Sequence, residues 1–365
     1  MGAFLATPVT EKISENAENE DLICGGSSMQ GWRSTQEDAH NCVLNFDKET
    51  SLFAVYDGHG GADVAIYSSL HLPDAIKQTE SYAKGDYSQA LKDAFLEFDA
   101  TLITDKVVKE LEKIAQKHNG EAEEDNENED EDDEEKCAVF FFLQVGEDSG
   151  CTAVVALIHR DTLYVANAGD SRCVVSRNRE AVEMSFDHKP EDPPEKTRIV
   201  NAGGKVTPDG RVNGGLNLSR ALGDHSYKQN KSLGPTEQMI SALPDIKTLD
   251  IDRSRDEFMV LACDGIWNSM SSQEVVDFIN ERLDKGVKKL TDISEELFDR
   301  CLAPNTIGDG TGCDNMTCII VRWKKPDVGT SSKESFRENF GSKDTLDVCS
   351  NLRYNDGSKF TVHGI

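Results

Sequence analysis

The sequence predicts an α+β fold in which antiparallel sheets are covered by helices. Two observations carry that expectation. Strand and helix signals come in clusters along the chain, not in the strict alternation that builds a doubly wound parallel sheet. No Pro-, Gly- or Ser-rich linker divides the middle of the 365 residues, which are enough to bury one large core.

Residues 1–21 are polar and read as an extended N-terminal tail, and residues 22–323 as one domain. The apolar run Leu52 to Tyr56 reads as a strand and the stretch Ala62 to Leu72 as a helix. Leu91, Ala94, Phe95, Phe98 and Leu102 recur at helical spacing. Residues 117–136 break the pattern. Within them, 121–135 hold twelve acids and no base, so they repel one another and lack the apolar side chains of a packed element. They are expected to form an exposed insert. Strand signals recur at Thr152 to Ile158, Thr162 to Ala168, Cys173 to Ser176, Phe258 to Cys263 and Met316 to Trp323. Ser271 and Glu274 have the spacing of a capping box, opening a helix that carries Val275, Phe278, Ile279 and Leu283. Residues 324–365 turn polar and read as a C-terminal tail.

The formal net charge of −28 argues against a nucleic-acid binder and for basic partners, if any. The ten cysteines are scattered, without the Cys-x-x-Cys spacing of a zinc site or the framework of a secreted domain. They read as reduced thiols, with Cys151, Cys263 and Cys318 as small core residues in strands. No apolar run approaches the roughly 18 residues that cross a bilayer, and no secretory segment opens the chain.

The chemistry concentrates where apolar runs stop. Leu52-Phe53-Ala54-Val55-Tyr56 ends at Asp57-Gly58, Phe258-Met259-Val260-Leu261-Ala262-Cys263 ends at Asp264-Gly265, and a third acid stands in Gly312-Cys313-Asp314-Asn315. Asp-Gly is also the commonest hairpin dipeptide, so either pair alone reads first as a turn. The continuations His59-Gly60-Gly61 and Ile266-Trp267 change that reading, because they lead toward helices and not back into a partner strand. Strand ends fix such acids well, and a glycine after each lets a cation or a phosphate approach the backbone. This is a pattern for a dinuclear site of hard metal ions with oxygen ligands, Mg²⁺ or Mn²⁺. Glu37, Asp38 and Arg33 taken alone read as exposed surface charges.

The order of motifs overturns that reading of the surface charges. Arg33, Glu37-Asp38, Asp57-Gly58-His59-Gly60-Gly61, Asn167-Ala168-Gly169-Asp170-Ser171-Arg172, Asn213 to Arg220, Asp264-Gly265 and Asp314-Asn315 together resemble the metal-dependent protein serine/threonine phosphatases of the 2C family. The resemblance spans residues 22–323 and is closest to the family's gamma type, through Ile266-Trp267-Asn268, Ser271 to Phe278, Gly310 to Thr317 and the acidic insert. It implies a four-layer αββα sandwich, two packed antiparallel sheets flanked by helices. It implies two Mg²⁺ or Mn²⁺ ions that activate a water for direct attack on the phosphorus of phosphoserine or phosphothreonine in proteins. Asp57 would bridge the ions, Asp264 and Asp314 would hold one, the Gly58 carbonyl the other, and Glu37 and Asp38 would hold their waters. Arg33 would grip the phosphate and His59 would protonate the leaving alkoxide. Asp170 would serve a weaker third ion, near Asn268, where many relatives carry Asp and the gamma type shares the Asn. Residues 187–216 correspond to the family's flap beside the site, with His188 as a support; the remaining histidines, His40, His71, His118, His159, His225 and His363, read as structural or surface groups.

The resemblance also implies a nuclear or cytoplasmic monomer. Met1-Gly2 is the family's lipidation signal, weakened here by Ala6 where Ser or Thr is preferred. Residues 121–135 are expected to bind basic proteins such as histones, a role that could coexist with catalysis or replace it. The competing reading of a catalytically dead scaffold requires loss of a metal acid, and Asp57, Asp264 and Asp314 are all present.

Overall fold

The computed structural model describes residues 4–118 and 148–324. In chain order the elements are β1 (Phe4–Glu18), β2 (Leu22–Arg33), β3 (Ala39–Val43), β4 (Thr50–Tyr56), β5 (Gly58–His59), α1 (Asp63–Gln78), α2 (Glu80–Ala83), α3 (Tyr87–Thr101) and α4 (Asp105–His118). There follow β6 (Gly150–Cys151), β7 (Ala153–His159), β8 (Thr162–Ala168), β9 (Arg172–Arg177), β10 (Glu180–Glu183), α5 (Pro193–Asn201), β11 (Leu222–Gly223), β12 (Asp245–Asp250), β13 (Asp256–Ala262), α6 (Asp264–Trp267), α7 (Ser272–Asp284), α8 (Leu290–Cys301) and β14 (Met316–Trp323).

Two large sheets face each other. One has the order β1-β2-β14-β13-β9-β10 and the other β12-β8-β7-β4-β3, with a small third sheet β11-β6-β5. All strand pairings in them are antiparallel. Side chains alternate across each strand, so one strand serves two cores. On β13, Met259 and Leu261 enter the core between the sheets, with Phe53, Val55, Val154 and Val175. Phe258, Val260 and Ala262 point the other way, against Ile266, Val275, Ile279, Leu297 and Phe298 of α6, α7 and α8. Likewise Leu52, Ala54 and Tyr56 of β4 pack under α1, α3 and α4 through Val64, Leu91, Phe95 and Leu111. The result is the expected αββα sandwich. Burial on both faces explains why these strands read as unbroken apolar runs.

The Ser271–Glu274 capping box is present at the start of α7, with both reciprocal bonds formed. Among the described residues no helix is long and apolar enough to cross a membrane.

One expectation is corrected. Residues 4–18, taken as tail, form β1, paired along β2 from Phe4 opposite Arg33 to Glu18 opposite Ile23. The strand lies at a sheet edge, half covered and alternately exposed, so its sequence needs few apolar residues. Pro8 falls where the register shifts between Phe4 and Lys12, a place that tolerates a missing N–H. The flap region contains α5 and a small core of its own, Ile199, Val212, Leu218, Ala221 and Ile240, so the segment that packs together runs beyond residue 216. Arg220 ties it down, bridging Glu195 and Asp245 at 2.7 Å each. Burial alone would raise the Glu195 pKa, but Arg220 and Arg198 hold it down at about 2. The acidic insert from residue 119 onward, Gly2, His363 and the C-terminal tail beyond Lys324 lie outside the described residues.

Phe258 is fully buried between β13 and the α7–α8 layer. Phe258→Ala is expected to cost about 3–5 kcal/mol, read as a lower urea midpoint at unchanged slope.

Candidate active site

The site forms where the ends of β2, β4, β13 and the loop before β14 meet. Asp57 follows β4, Asp264 opens α6 directly after β13, and Asp314 precedes β14. Backbone crowding fixes this convergence. A Cβ on Gly58 would strike the Glu37 carbonyl oxygen, and one on Gly265 would strike that of Asn315. Gly31, at φ +67, sits with its Cβ position 2.8 Å from the Asp314 carbonyl. Glycine is therefore demanded at three places by the closeness of the chain segments that carry the acids.

Asn315 knits these segments together. Its side-chain oxygen accepts the Glu37 N–H at 3.0 Å, and its amide donates to the Gln30 and Thr35 carbonyls at 2.8 and 3.0 Å. Thr317 donates to Asp38 Oδ2 at 2.7 Å, while the buried Oδ1 of Asp38 has no partner. The Asp57 N–H is bonded to Thr152 Oγ1 and its carbonyl accepts the Thr152 N–H at 2.9 Å.

The electrostatics follow from crowding. Burial first, then the charges of Asp38, Asp264, Asp314 and Asp170, push Asp57 well above the usual carboxylate range. Burial and the same neighbourhood raise Asp38 and Asp264. Two cations face the cluster. Arg33 Nη2 meets Asp314 at 2.6 Å and Lys189 Nζ meets Asp170 at 2.6 Å. In both, burial works against the charge and the facing carboxylate outweighs it.

These observations test the fit to metal ions. Carboxylates that repel one another, one of them with an orphaned buried oxygen, form a site short of positive charge, and an all-oxygen donor set suits Mg²⁺ or Mn²⁺. The Cys263 thiol adjoins Asp38 and Asp57, but burial pushes its pKa well up, so it stays a neutral neighbour. The residues fit the ions.

Arg33, Asp38, Asp57, Asp264, Asp314 and Asp170 are electrostatic neighbours, and Glu37 lies beside Asp38 and His59. His59 Nε2 lies 2.8 Å from Asp224, a residue the sequence reading missed. Asp224 is buried, holds a left-handed backbone at φ 52, and has an unpartnered Oδ1. Its carboxylate occupies space that a side chain at Gly150 would fill. Burial alone would lower the His59 pKa, but Asp224 outweighs it and the pKa rises. Lys189 was also missed. Asn268 donates to Asp264 Oδ2 at 3.0 Å. His188 is buried, accepting the Gly169 N–H at 3.2 Å and reaching Asp245 at 3.1 Å. His71, His159 and His225 bond to Glu110, Thr50 and Asp99, as structural groups do.

Comparison with known proteins decides the family. A family model described as Protein phosphatase 2C matches residues 23–310. The chain belongs to the protein phosphatase 2C family. Human protein phosphatase 1G is 38% identical over 518 residues, covering 92% of this chain and 95% of that protein, in keeping with a gamma type. Probable protein phosphatase 2C 21 of Arabidopsis thaliana is 47% identical over 344 residues, covering 92% and 96%. The crystal structure of serine-threonine phosphatase 2C from Toxoplasma gondii shares the fold, with a TM-score of 0.65 at 18% identity over 86% of this chain and 99% of that one.

The raised carboxylates set a pH dependence. An acid whose pKa is higher folded than unfolded favours the fold while protonated and opposes it once ionised. Metal-free protein is therefore expected to lose stability as pH rises from about 4 to about 8, through the interval between the unfolded carboxylate value and the folded one of Asp264. Asp264→Asn should raise the Tm of the chelator-treated chain at the upper end and change it little at the lower. An unaltered slope in the variant would count against a carboxylate cluster.

Proposed function

We propose that this phosphatase 2C chain hydrolyses phosphoserine and phosphothreonine in proteins, using two Mg²⁺ or Mn²⁺ ions held by Asp57, Gly58, Asp264 and Asp314. The observation that supports this most directly is the convergence of Asp38, Asp57, Asp170, Asp264 and Asp314 beside Arg33 and His59. Bound ions would neutralise the carboxylates and supply an acidified water as nucleophile. Asp170, the residue that would hold a weaker third ion, is paired with the Lys189 ammonium, which such an ion would have to displace.

The chain's own residues do the rest. The Arg33 guanidinium is held by Asp314 on one side and partly exposed on the other, and its planar fork suits two phosphate oxygens as a lysine could not. Glu37 and Asp38 orient water, their geometry set by Asn315 and Thr317. Asp224 anchors one His59 nitrogen, fixes the ring, and favours protonation of the other, the proton that would go to the departing alkoxide. Turnover of a phosphothreonine peptide should require Mn²⁺ and resist okadaic acid; metal-independent turnover would overturn the reading.

A proton from His59 matters for a poor leaving group and little for p-nitrophenolate. His59→Gln and Asp224→Asn should therefore each lose far more activity on a phosphoserine peptide than on p-nitrophenyl phosphate, with Mn²⁺ affinity nearly intact. Equal losses on both substrates would make the pair a support of the metal loop and nothing more.

For residues 121–135 the proposed role is salt-sensitive binding of basic proteins such as histones, supported by twelve acids without a base. Deleting them should weaken histone retention at low salt and leave p-nitrophenyl phosphate turnover unchanged.

A further inference from the structure

Away from the active site, three side chains of metal-binding type meet between the two large sheets, with a fourth alongside. Glu15 of β1, His40 and Cys42 of β3 each offer a ligand atom, all within 4.8 Å of one another. The fourth, Cys24 of β2, is buried next to Cys42, two residues from Gly26 and on the same strand face, but stands outside that mutual 4.8 Å group. Both cysteines are free.

The backbone makes room for this group. Glu15 pairs with Gly26 across β1 and β2. A Cβ on Gly26 would come within 3.0 Å of Cys42 Sγ and 3.2 Å of His40 Nε2. Glycine at this point of β2 lets β3 bring its imidazole and thiol against the sheet. His40 and Cys42 stand two residues apart on one strand, so they share a face. His40 Nε2 already lies 3.2 Å from Glu15 Oε1, at side-chain exposures of 14% and 39%, so the cluster has a buried sulfur end and an open carboxylate end.

We propose that Glu15, His40 and Cys42, with the neighbouring Cys24 thiol turning in as fourth ligand, bind one zinc-class divalent ion that ties β1 to β3 across the sandwich. Two sulfurs, one imidazole nitrogen and one carboxylate oxygen make a four-member donor set of the kind tetrahedral Zn²⁺ takes, and soft thiolates disfavour Mg²⁺ and Mn²⁺. The open Glu15 end gives an entry path. On binding, the ion takes the place of the Glu15–His40 contact, and each thiol releases its proton to solvent. The adjoining Cys24, and then burial, hold the Cys42 proton tightly, so uptake is expected to strengthen with pH. The ligands are separate from the oxygen site, and the function is structural: a clamp on the edge strand.

The test uses the full chain in reducing buffer, stripped with chelator and supplied with excess Mn²⁺ to fill the oxygen site. Titration with Co²⁺ should give one saturable equivalent with thiolate-to-cobalt charge-transfer absorbance, displaced by Zn²⁺. The band should vanish in Cys42→Ser and persist in Cys263→Ser, which removes the thiol beside the catalytic acids. Glu15→Gln, altered at the exposed end, should fold, retain Mn²⁺-dependent turnover, and bind Zn²⁺ at least about tenfold more weakly, as loss of a ligand predicts. Zn²⁺ should raise the Tm of the native chain and not that of Cys42→Ser. Absence of the band, its survival in Cys42→Ser, or a Cys24–Cys42 disulfide without metal uptake would overturn the proposal.

Discussion

Mutual repulsion among carboxylates is the constraint around which this molecule is arranged. Asp38, Asp57, Asp170, Asp264 and Asp314 are forced close enough that three of them hold protons more tightly than free side chains do. Nothing in the acids themselves would keep them there. They are held by the ends of strands whose other residues are locked on both faces by apolar packing, and by three glycines that admit neighbouring backbone where a Cβ would not fit. Asn315 closes the arrangement with three bonds to two other segments. Stability is thus spent locally on a charge arrangement that only cations can relieve, a common bargain at functional sites.

Supporting cations divide the work by reach. Arg33 comes from β2 and meets Asp314, while Lys189 comes from the segment that includes α5 and meets Asp170. The second contact links the flap region to the acids electrostatically, and the Arg220 bridge from Glu195 to Asp245 links the same region to β12. Displacing Lys189 from Asp170 would therefore change the footing of the flap as well as the charge of the site.

Much of this was legible in the sequence because the relevant signals are local. An apolar run ending in Asp-Gly marks both a strand buried on two faces and the acid at its end, and Ser271 with Glu274 marks a helix start within four residues. What escaped depends on distant contacts. β1 looked like a tail because an edge strand with one half-covered face carries few apolar residues. Asp224 gains its meaning from His59, far away in sequence, through a left-handed turn that a buried aspartate does not advertise. Lys189 is one lysine among many until it faces Asp170. The Glu15, His40 and Cys42 group, with Cys24 alongside, has no Cys-x-x-Cys spacing because these residues arrive on three strands.

The position of β14 has a consequence for how the chain comes into being. It is the final described strand, yet it lies inside its sheet, between β2 and β13, with Leu22 opposite Trp323 and Met29 opposite Met316. β2 precedes its partner β14 by nearly the whole of the described chain. The contacts that assemble the site, Arg33 with Asp314, Glu37 with Asn315 and Asp38 with Thr317, all wait for the same arrival. Such pairing across the full length of the chain is slow to find and leaves an open strand edge in the interval. Until β14, the final strand among the described residues, is in place, neither its sheet nor the acid cluster is complete.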